Sequence, residues 1–418
     1  MNIETLYTRY SKNYLVDTDT RKIRKGTIYF ALKGANFNGN TFAEEALHKG
    51  ASYCVVDEKK YVTSENILLV DDVLTTLQQL ATYHRAQLNI PIIALTGSNG
   101  KTTTKELINA VLCKKYNTTA TIGNLNNHIG VPLTLLSMTP KTDIGIVEMG
   151  ANHPKEIEFL CAIANPDYGY ITNFGKAHLE GFGSLEGVIE AKSELYAHLK
   201  KHQKTAFTNP NDAIQLEKSA GITQVLFNTQ QLHFLEANPL VKISYHSEII
   251  QSNLIGDYNF SNLSAAITIG NYFNVSDANI KEALENYVAT NNRSQVVKTN
   301  TNTLLLDAYN ANPTSIKAAL ENFNALESPR KTVILGDMFE LGKNSAEEHQ
   351  NMVDLAASLH FTNCYFVGEL FSKTHSNKLK FKTFEALSTH LSAHEIANHL
   401  ILIKGSRGMA LERLEKLL

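Results

Sequence analysis

The sequence predicts an α/β chain of three domains, the second and third each built on an open, mostly parallel sheet. Three observations lead there. Short apolar runs recur, each ending in a polar or glycine-bearing loop, with helical stretches between them, which is the alternation that produces parallel sheets. The pattern breaks twice, at Asn89-Ile90-Pro91 and at Asn291-Asn292-Arg293. The chain has 418 residues, and at about 150 residues per domain this leaves room for three cores. The expected domains are therefore 1–89, 90–293 and 294–418.

In the first domain, which reads as a small mixed α/β unit, Thr27-Ile28-Tyr29-Phe30-Ala31-Leu32 is a buried strand closed by the turn-rich Lys33-Gly34-Ala35-Asn36-Phe37-Asn38-Gly39-Asn40. Phe42 to Lys49 reads as a helix stopped by Gly50, Tyr53-Cys54-Val55-Val56 as a strand, and Val73 to Gln87 as a helix. The second domain opens with an apolar strand, Ile92 to Leu95, then a turn, Gly97 to Gly100, then a helix, Thr102 to Lys115. Ile144-Gly145-Ile146-Val147 and Tyr168-Gly169-Tyr170-Ile171 repeat the strand pattern. Residues 205–250 read as an antiparallel excursion, and Leu263 to Tyr272 as a helix. In the third domain Leu304-Leu305-Leu306-Asp307, Thr332-Val333-Ile334-Leu335 and Leu400-Ile401-Leu402-Ile403 are the buried strands.

Composition narrows the function. Thirty-nine Lys and Arg stand against 41 Asp and Glu, a net charge of −2. Such balance argues against bulk attraction to nucleic acid or to an anionic membrane, so an anionic ligand needs a local site. The four cysteines are scattered, with no Cys-x-x-Cys framework, as suits a reducing compartment. Met1-Asn2-Ile3-Glu4 starts no apolar leader, and no run of apolar residues is long enough to span a bilayer. A cytoplasmic protein without integral membrane contact is expected, and a monomer.

Thr96-Gly97-Ser98-Asn99-Gly100-Lys101-Thr102-Thr103-Thr104 carries the strongest chemistry. Gly97 and Gly100 let backbone N–H groups converge on phosphate oxygens, Lys101 reaches the terminal phosphates, and the hydroxyl of Thr102 or Thr103 suits Mg²⁺. The spacing is G-x-x-G-K-T, shorter than the ordinary phosphate loop. Glu148 follows a buried strand, where a carboxylate fits either Mg²⁺ or a helix cap. His178, in Asn173-Phe174-Gly175-Lys176-Ala177-His178, suits a metal, proton transfer or a structural place. Lys192, between Glu190 and Glu194, reads as a solvated helix lysine. Asn126 and Asn127 lie in an amide-rich loop that binds polar ligands or simply turns. Asn259 and Asn262, at the start of a helix, suit a purine edge or a cap. Asp307, at a strand end, suits ribose hydroxyls, and the basic loop Lys404-Gly405-Ser406-Arg407-Gly408 a carboxylate or phosphate; turn chemistry is the alternative for both.

Taken together and in this order, these strings resemble the Mur ligase family of ATP-dependent amide-forming enzymes. The motifs span most of the chain, ending with Asp307-Ala308-Tyr309-Asn310-Ala311-Asn312-Pro313 and Leu335-Gly336-Asp337-Met338-Phe339-Glu340-Leu341-Gly342. The resemblance implies an N-terminal uridine-nucleotide domain, a central ATPase of phosphate-loop type and a C-terminal Rossmann-like domain. It implies that ATP phosphorylates the terminal carboxylate of UDP-N-acetylmuramoyl-tripeptide and that the amine of D-alanyl-D-alanine attacks the acyl phosphate. By the same resemblance Gly97, Ser98, Asn99, Gly100, Lys101, Thr102, Thr103 and Arg293 hold the ATP phosphates, Asn259 and Asn262 the adenine, and Asp307 the ribose. Two Mg²⁺ ions are implied, with Thr102, Glu148, His178 and a Lys192 carbamylated by CO₂ as ligands. Lys101, Lys192 and His178 form the implied catalytic set. Thr20, Arg21, Asn38, Asn126 and Asn127 are expected to face the UDP-peptide, and Asn310, Lys404 and Arg407 the incoming dipeptide. At residues 38–40, Asn-Gly-Asn replaces the family's Asp-Gly-His.

Three rivals are weaker. A folylpolyglutamate synthase-like enzyme would start at its ATPase, without some 90 residues before the loop. A ligase for a diamino acid should carry an Asp-Asn-Pro-Arg loop, which is absent from the sequence. A nucleotide switch needs the phosphate loop but neither the amide cluster nor two metal motifs.

Overall fold

The computed structural model describes residues 1–246, 248–290 and 293–418. Asn291 and Asn292, at the second predicted break, lie outside the described residues. In the N-terminal region four parallel strands stand in the order Val16–Asp17, Ile28–Phe30, Tyr53–Val56, Ile67–Leu69. The strand predicted over 27–32 stops at Phe30, because the Leu32 N–H turns back to the Phe30 carbonyl (2.9 Å) and the chain enters a short hairpin. The helix predicted from Phe42 begins as a 3₁₀ turn, Gly39–Phe42, and continues as Ala43–His48.

The helix Val73–Gln87 joins this sheet to the central one. Leu77, Leu80 and Ala81 are fully buried on its inner face, and each leucine so buried contributes about 2 kcal/mol. At its C-terminal end the Arg85 guanidinium donates to the Ala164 carbonyl (2.9 Å) and pairs with Asp167 (2.7 Å). Tyr10 Oη donates to the Leu136 carbonyl at 2.9 Å, adding a second tie.

Six parallel strands form the central sheet, in the order Thr223–Leu226, Thr205–Thr208, Tyr168–Ile171, Ile92–Thr96, Ile144–Glu148, Thr118–Ala120. Ile92–Thr96 lies between strands that follow it from opposite sides, so the loop at its end opens at a switch point, where an open α/β sheet leaves a crevice. The helix after that loop is Lys101–Leu112, shorter than predicted, because the Lys114 N–H reaches back three residues to Val111 and tightens the last turn.

The antiparallel excursion predicted over 205–250 is corrected. Thr205–Thr208 and Thr223–Leu226 complete the parallel sheet, and only Leu232–Ala237, Leu240–Tyr245 and Glu248–Ile255 are antiparallel. The crossover between the first two is a helix of 6 residues, Ala213–Lys218, too short to show a helical period in sequence. In the C-terminal region Gln295–Lys298 pairs antiparallel with Thr303–Asp307, and Leu400–Lys404, Lys331–Gly336, Asn363–Val367 and Leu379–Phe381 follow in parallel. Among the described residues no helix is long and apolar enough to cross a membrane.

Candidate active site

The phosphate loop is built where no side chain fits. Gly97 has φ +144°, and a Cβ there would stand 2.0 Å from Thr172 Oγ1. Gly100 has φ +77°, and a Cβ there would stand 2.8 Å from Asn262 Oδ1. Both positions thus need glycine for conformation and for space. The loop after Tyr168–Ile171 clamps it: Thr172 Oγ1 donates to the Asn99 carbonyl (2.5 Å), and Asn173 Oδ1 accepts from the Asn99 N–H (3.1 Å). Ser98 Oγ donates to the Gly175 carbonyl and accepts from its N–H, each at 2.9 Å. No side chain caps the helix Lys101–Leu112, so its first-turn N–H groups and its dipole are left for an anion. Lys101 Nζ folds onto the Gly97 carbonyl at 2.6 Å. Burial in this loop pushes its amine down to about 8, against the pull of Glu148 and with the push of Arg293.

Glu148 ends the neighbouring strand and is fully buried. Asn126 Nδ2 donates to its Oε1 at 2.8 Å, whereas Oε2 is buried without a hydrogen-bond partner. Thr102 Oγ1, on the loop's helix, is likewise buried and unpartnered. Two orphaned oxygens at the end of a phosphate loop fit Mg²⁺, a cation that takes few protein ligands and keeps phosphate and water in its shell. Among the described residues no three His, Cys, Asp or Glu side chains converge. A Mg²⁺ bound here would therefore share its shell with the nucleotide. Thr103 lines the same cavity.

Lys192 is not a solvated lysine. It is 1% exposed, donates from Nζ to the Ala151 carbonyl at 3.1 Å, and lies 5.0 Å over the Phe182 ring. Its flanking acids serve elsewhere: Glu194 accepts from the Lys155 and Glu158 N–H groups, and Glu190 pairs with Lys218. Burial first, and then the charge of Lys101, hold the Lys192 amine well below the usual lysine range. The sequence did carry a signal. Val188, Ala191, Leu195, Tyr196 and Leu199 are the buried stripe of this helix, and Lys192 falls inside it.

His178 lines the cavity with a left-handed backbone, φ +52°. Its Nδ1 stands 2.5 Å from Glu340 Oε2, a close contact lying off the line of an aligned hydrogen bond. The imidazole holds the Glu340 carboxyl below the usual range.

From the C-terminal sheet come Asp307 and Lys404, partners in register at two adjacent strand ends. Asp307 Oδ2 receives Lys404 Nζ, which also reaches the Asn310 carbonyl at 3.3 Å. Lys404 is 1% exposed, so its ammonium is committed to Asp307. Asn310 Oδ1 accepts from the Ala311 N–H at 2.9 Å. The Arg293 guanidinium stacks 3.7 Å over Tyr309, with Arg407 on the same ring at 5.2 Å. Asn259 and Asn262 are buried in the cavity wall, linked Nδ2 to Oδ1 at 2.8 Å; Thr104 holds Asn262 at 3.0 Å. Both sit within the helix Asn259–Tyr272 rather than capping it. Asn127 Oδ1 caps the next helix through the Ile129 and Gly130 N–H groups.

Most of these groups line one cavity of about 810 Å³ between the central and C-terminal sheets, but Gly97, Thr102 and Lys192 do not. Thr20, Arg21 and Asn38 are not part of its wall. Arg21 projects outward and pairs with Asp19 at 2.7 Å, and Lys49 Nζ donates to the Thr20 carbonyl at 3.1 Å. Asn38 is tied to Glu58 at 2.7 Å and to Asn40. Sequence reasoning passed over Asn312, Thr172, Asn173 and Glu340. Asn312 Oδ1 caps the helix Pro313–Ala325 while its Nδ2 crosses to Asn99 Oδ1 at 2.7 Å, joining the C-terminal sheet to the phosphate loop.

Sequence profiles match along this frame: Mur ligase family, catalytic domain, over residues 13–87; Mur ligase middle domain over 95–270; and Mur ligase, glutamate ligase domain, over 292–407. The chain belongs to the Mur ligase family. A Bacillus subtilis member, UDP-N-acetylmuramoyl-tripeptide–D-alanyl-D-alanine ligase, is 34% identical over 420 residues, covering 96% of this chain and 92% of that protein. Among solved Mur ligases, MurF from Acinetobacter baumannii superposes with a TM-score of 0.84 at 30% identity, over 96% of this chain and 92% of that one. MurF ligase from Thermotoga maritima, in complex with ADP, gives 0.82 at 26% identity over 96% of each.

Proposed function

We propose that this chain is the ATP-dependent ligase that joins D-alanyl-D-alanine to UDP-N-acetylmuramoyl-tripeptide in peptidoglycan precursor synthesis, releasing ADP and phosphate. The likeness to ligases of that name along nearly the whole chain carries the reading, and the site supplies the chemistry. A carboxylate is a poor electrophile until an oxygen becomes a phosphate leaving group. The protein's work is then to position the reactants and to neutralise charge as phosphate leaves.

In this reading residues 1–89 hold the uridine handle through Thr20, Arg21 and Asn38, residues 90–293 hold ATP, and residues 294–418 bring the dipeptide. The uncapped helix at Lys101 and the backbone of the 97–103 loop receive the ATP phosphates, with Lys101 and Arg293 opposing their charge. Asn259 and Asn262 flank the adenine. Asp307, fixed by Lys404, takes the ribose hydroxyls. Asn126 and Asn127 face the UDP-peptide, and Asn310 and Arg407 the dipeptide. Bound Mg²⁺ would supply charge neutralisation at the phosphates, and Thr102 and Glu148 are the residues that would hold it. A second ion would be held by His178 and a carbamylated Lys192. A buried, neutral amine is the nucleophile that CO₂ requires, and the depressed Lys192 amine supports that assignment. The chain would act as a monomer in the cytoplasm.

Phosphate release tests the reading. It should require ATP, the UDP-tripeptide and D-alanyl-D-alanine together; release from ATP alone at the same rate would leave a nucleotide hydrolase.

A further inference from the structure

The contact between His178 and Glu340 joins two domains at the cavity, and the catalytic reading above gives Glu340 no part. Glu340 sits in the loop after Lys331–Gly336, in the C-terminal sheet, with a left-handed backbone at φ +63°. A non-glycine residue is rarely held there unless its surroundings impose it. The surroundings do so here. The Glu340 carbonyl accepts from the Glu180 N–H at 3.1 Å. Gly342, at φ +54°, lies so close to Glu180 that a Cβ would stand 3.2 Å from its Cα. Behind the loop, the Phe339 N–H donates to Ser406 Oγ at 3.0 Å, anchoring it to its own sheet. His178 also has a positive φ, so a pair of unusual backbones present these two side chains to each other.

We propose that Glu340 is a positioning residue for His178: its carboxylate fixes the ring and keeps the proton on Nδ1, so the metal site of the central domain is complete only when the C-terminal domain has closed. The proposal rests on the reading of His178 as a metal ligand. A ligating histidine gives its second ring nitrogen to a carboxylate or carbonyl, which sets the tautomer and frees the first for the metal. With Nδ1 facing Glu340, Nε2 is the nitrogen left for a cation. The Glu340 side chain is 49% exposed and that of His178 17%, so the carboxylate reaches the ring from the rim. Two other pairs close the same boundary without touching His178: Lys176 with Glu348 at 2.7 Å, and Asn99 with Asn312 at 2.7 Å. They serve as controls for closure itself.

The test is a Mn²⁺ titration of the full chain, followed by electron paramagnetic resonance with a non-hydrolysable ATP analogue present. Solution scattering reports closure in parallel. Glu340→Ala should weaken the His178-dependent Mn²⁺ binding by about 10-fold, the lower end of what loss of such a partner costs. Glu340→Gln, which keeps an acceptor oxygen beside Nδ1, should recover much of that loss and carries the test if the alanine variant does not fold. Glu348→Ala, which loosens the same boundary but leaves the ring its partner, should weaken Mn²⁺ binding less than Glu340→Ala does. Equal weakening by Glu340→Ala and Glu348→Ala would assign the effect to closure alone and overturn the proposal. Weakening by His178→Ala but not by either Glu340 variant would overturn it too. Unchanged binding in His178→Ala would instead remove His178 from the metal site and refute the reading beneath it.

Discussion

Asn126 Nδ2 lies 2.8 Å from Glu148 Oε1, and this one hydrogen bond leaves Oε2 as the carboxylate oxygen without a partner. The amide thus orients the acid across the end of the phosphate loop. Glu148→Gln should lower apparent Mg²⁺ affinity in the ligase assay by roughly 10- to 100-fold, and Asn126→Ala by about 10-fold through lost orientation. Initial rates against Mg²⁺ concentration check both. Unchanged Mg²⁺ dependence in Glu148→Gln would remove it from the metal site.

Lys192→Ala should cut ligation while leaving ATP affinity nearly intact, because on the reading proposed above the group lost would hold the second metal ion rather than the nucleotide. In the unaltered chain, ¹³CO₂ should give a carbamate carbon resonance that the variant lacks. A resonance persisting in Lys192→Ala would place the carbamate elsewhere.

The N-terminal domain carries a prediction about acid. Hydrogen bonds from Lys60, Asn38 and Lys33 hold the Glu58 carboxyl down at about 2. A carboxyl lowered in the folded state contributes stability that is complete above its unfolded value and is lost as pH falls towards the folded one. Wild type should therefore exceed Glu58→Gln in thermal midpoint at neutral pH, with the gap narrowing from about pH 5 down to about pH 2. A constant gap would mean that the carboxylate charge is not what stabilises the loop around Asn38.

Thiol chemistry should single out one cysteine. Cys113 is exposed, whereas Cys54, Cys161 and Cys364 are buried and their thiols are pushed upward by burial, Cys54 to about 12. The thiolate is the reactive form. Native iodoacetamide treatment should thus add one label, at Cys113, as read by peptide mass. Labelling at Cys161 would indicate an open core.

What was legible in the sequence was local. The phosphate loop could be read because glycine spacing, a preceding strand and a following helix lie within 24 contiguous residues, 92–115 with their turn. Glu148 could be placed because a strand end fixes where its side chain goes. Lys192 was misread because charge at Glu190 and Glu194 outweighed the apolar stripe running through the same helix. Asn312 and Glu340 were passed over for a different reason. Their roles arise from contacts across more than 150 residues, 213 for Asn312 with Asn99, and no local period encodes such a contact. The short helix Ala213–Lys218 hid the end of the parallel sheet in the same way that any crossover below two turns would.

The central claim is the reaction itself. Full-length chain incubated with ATP, Mg²⁺, UDP-N-acetylmuramoyl-tripeptide and D-alanyl-D-alanine should give, by mass spectrometry, a UDP-linked pentapeptide heavier than the tripeptide by D-alanyl-D-alanine less one water, with one ADP per product. ATP consumption without that product, or the addition of a single amino acid in place of the dipeptide, would contradict it.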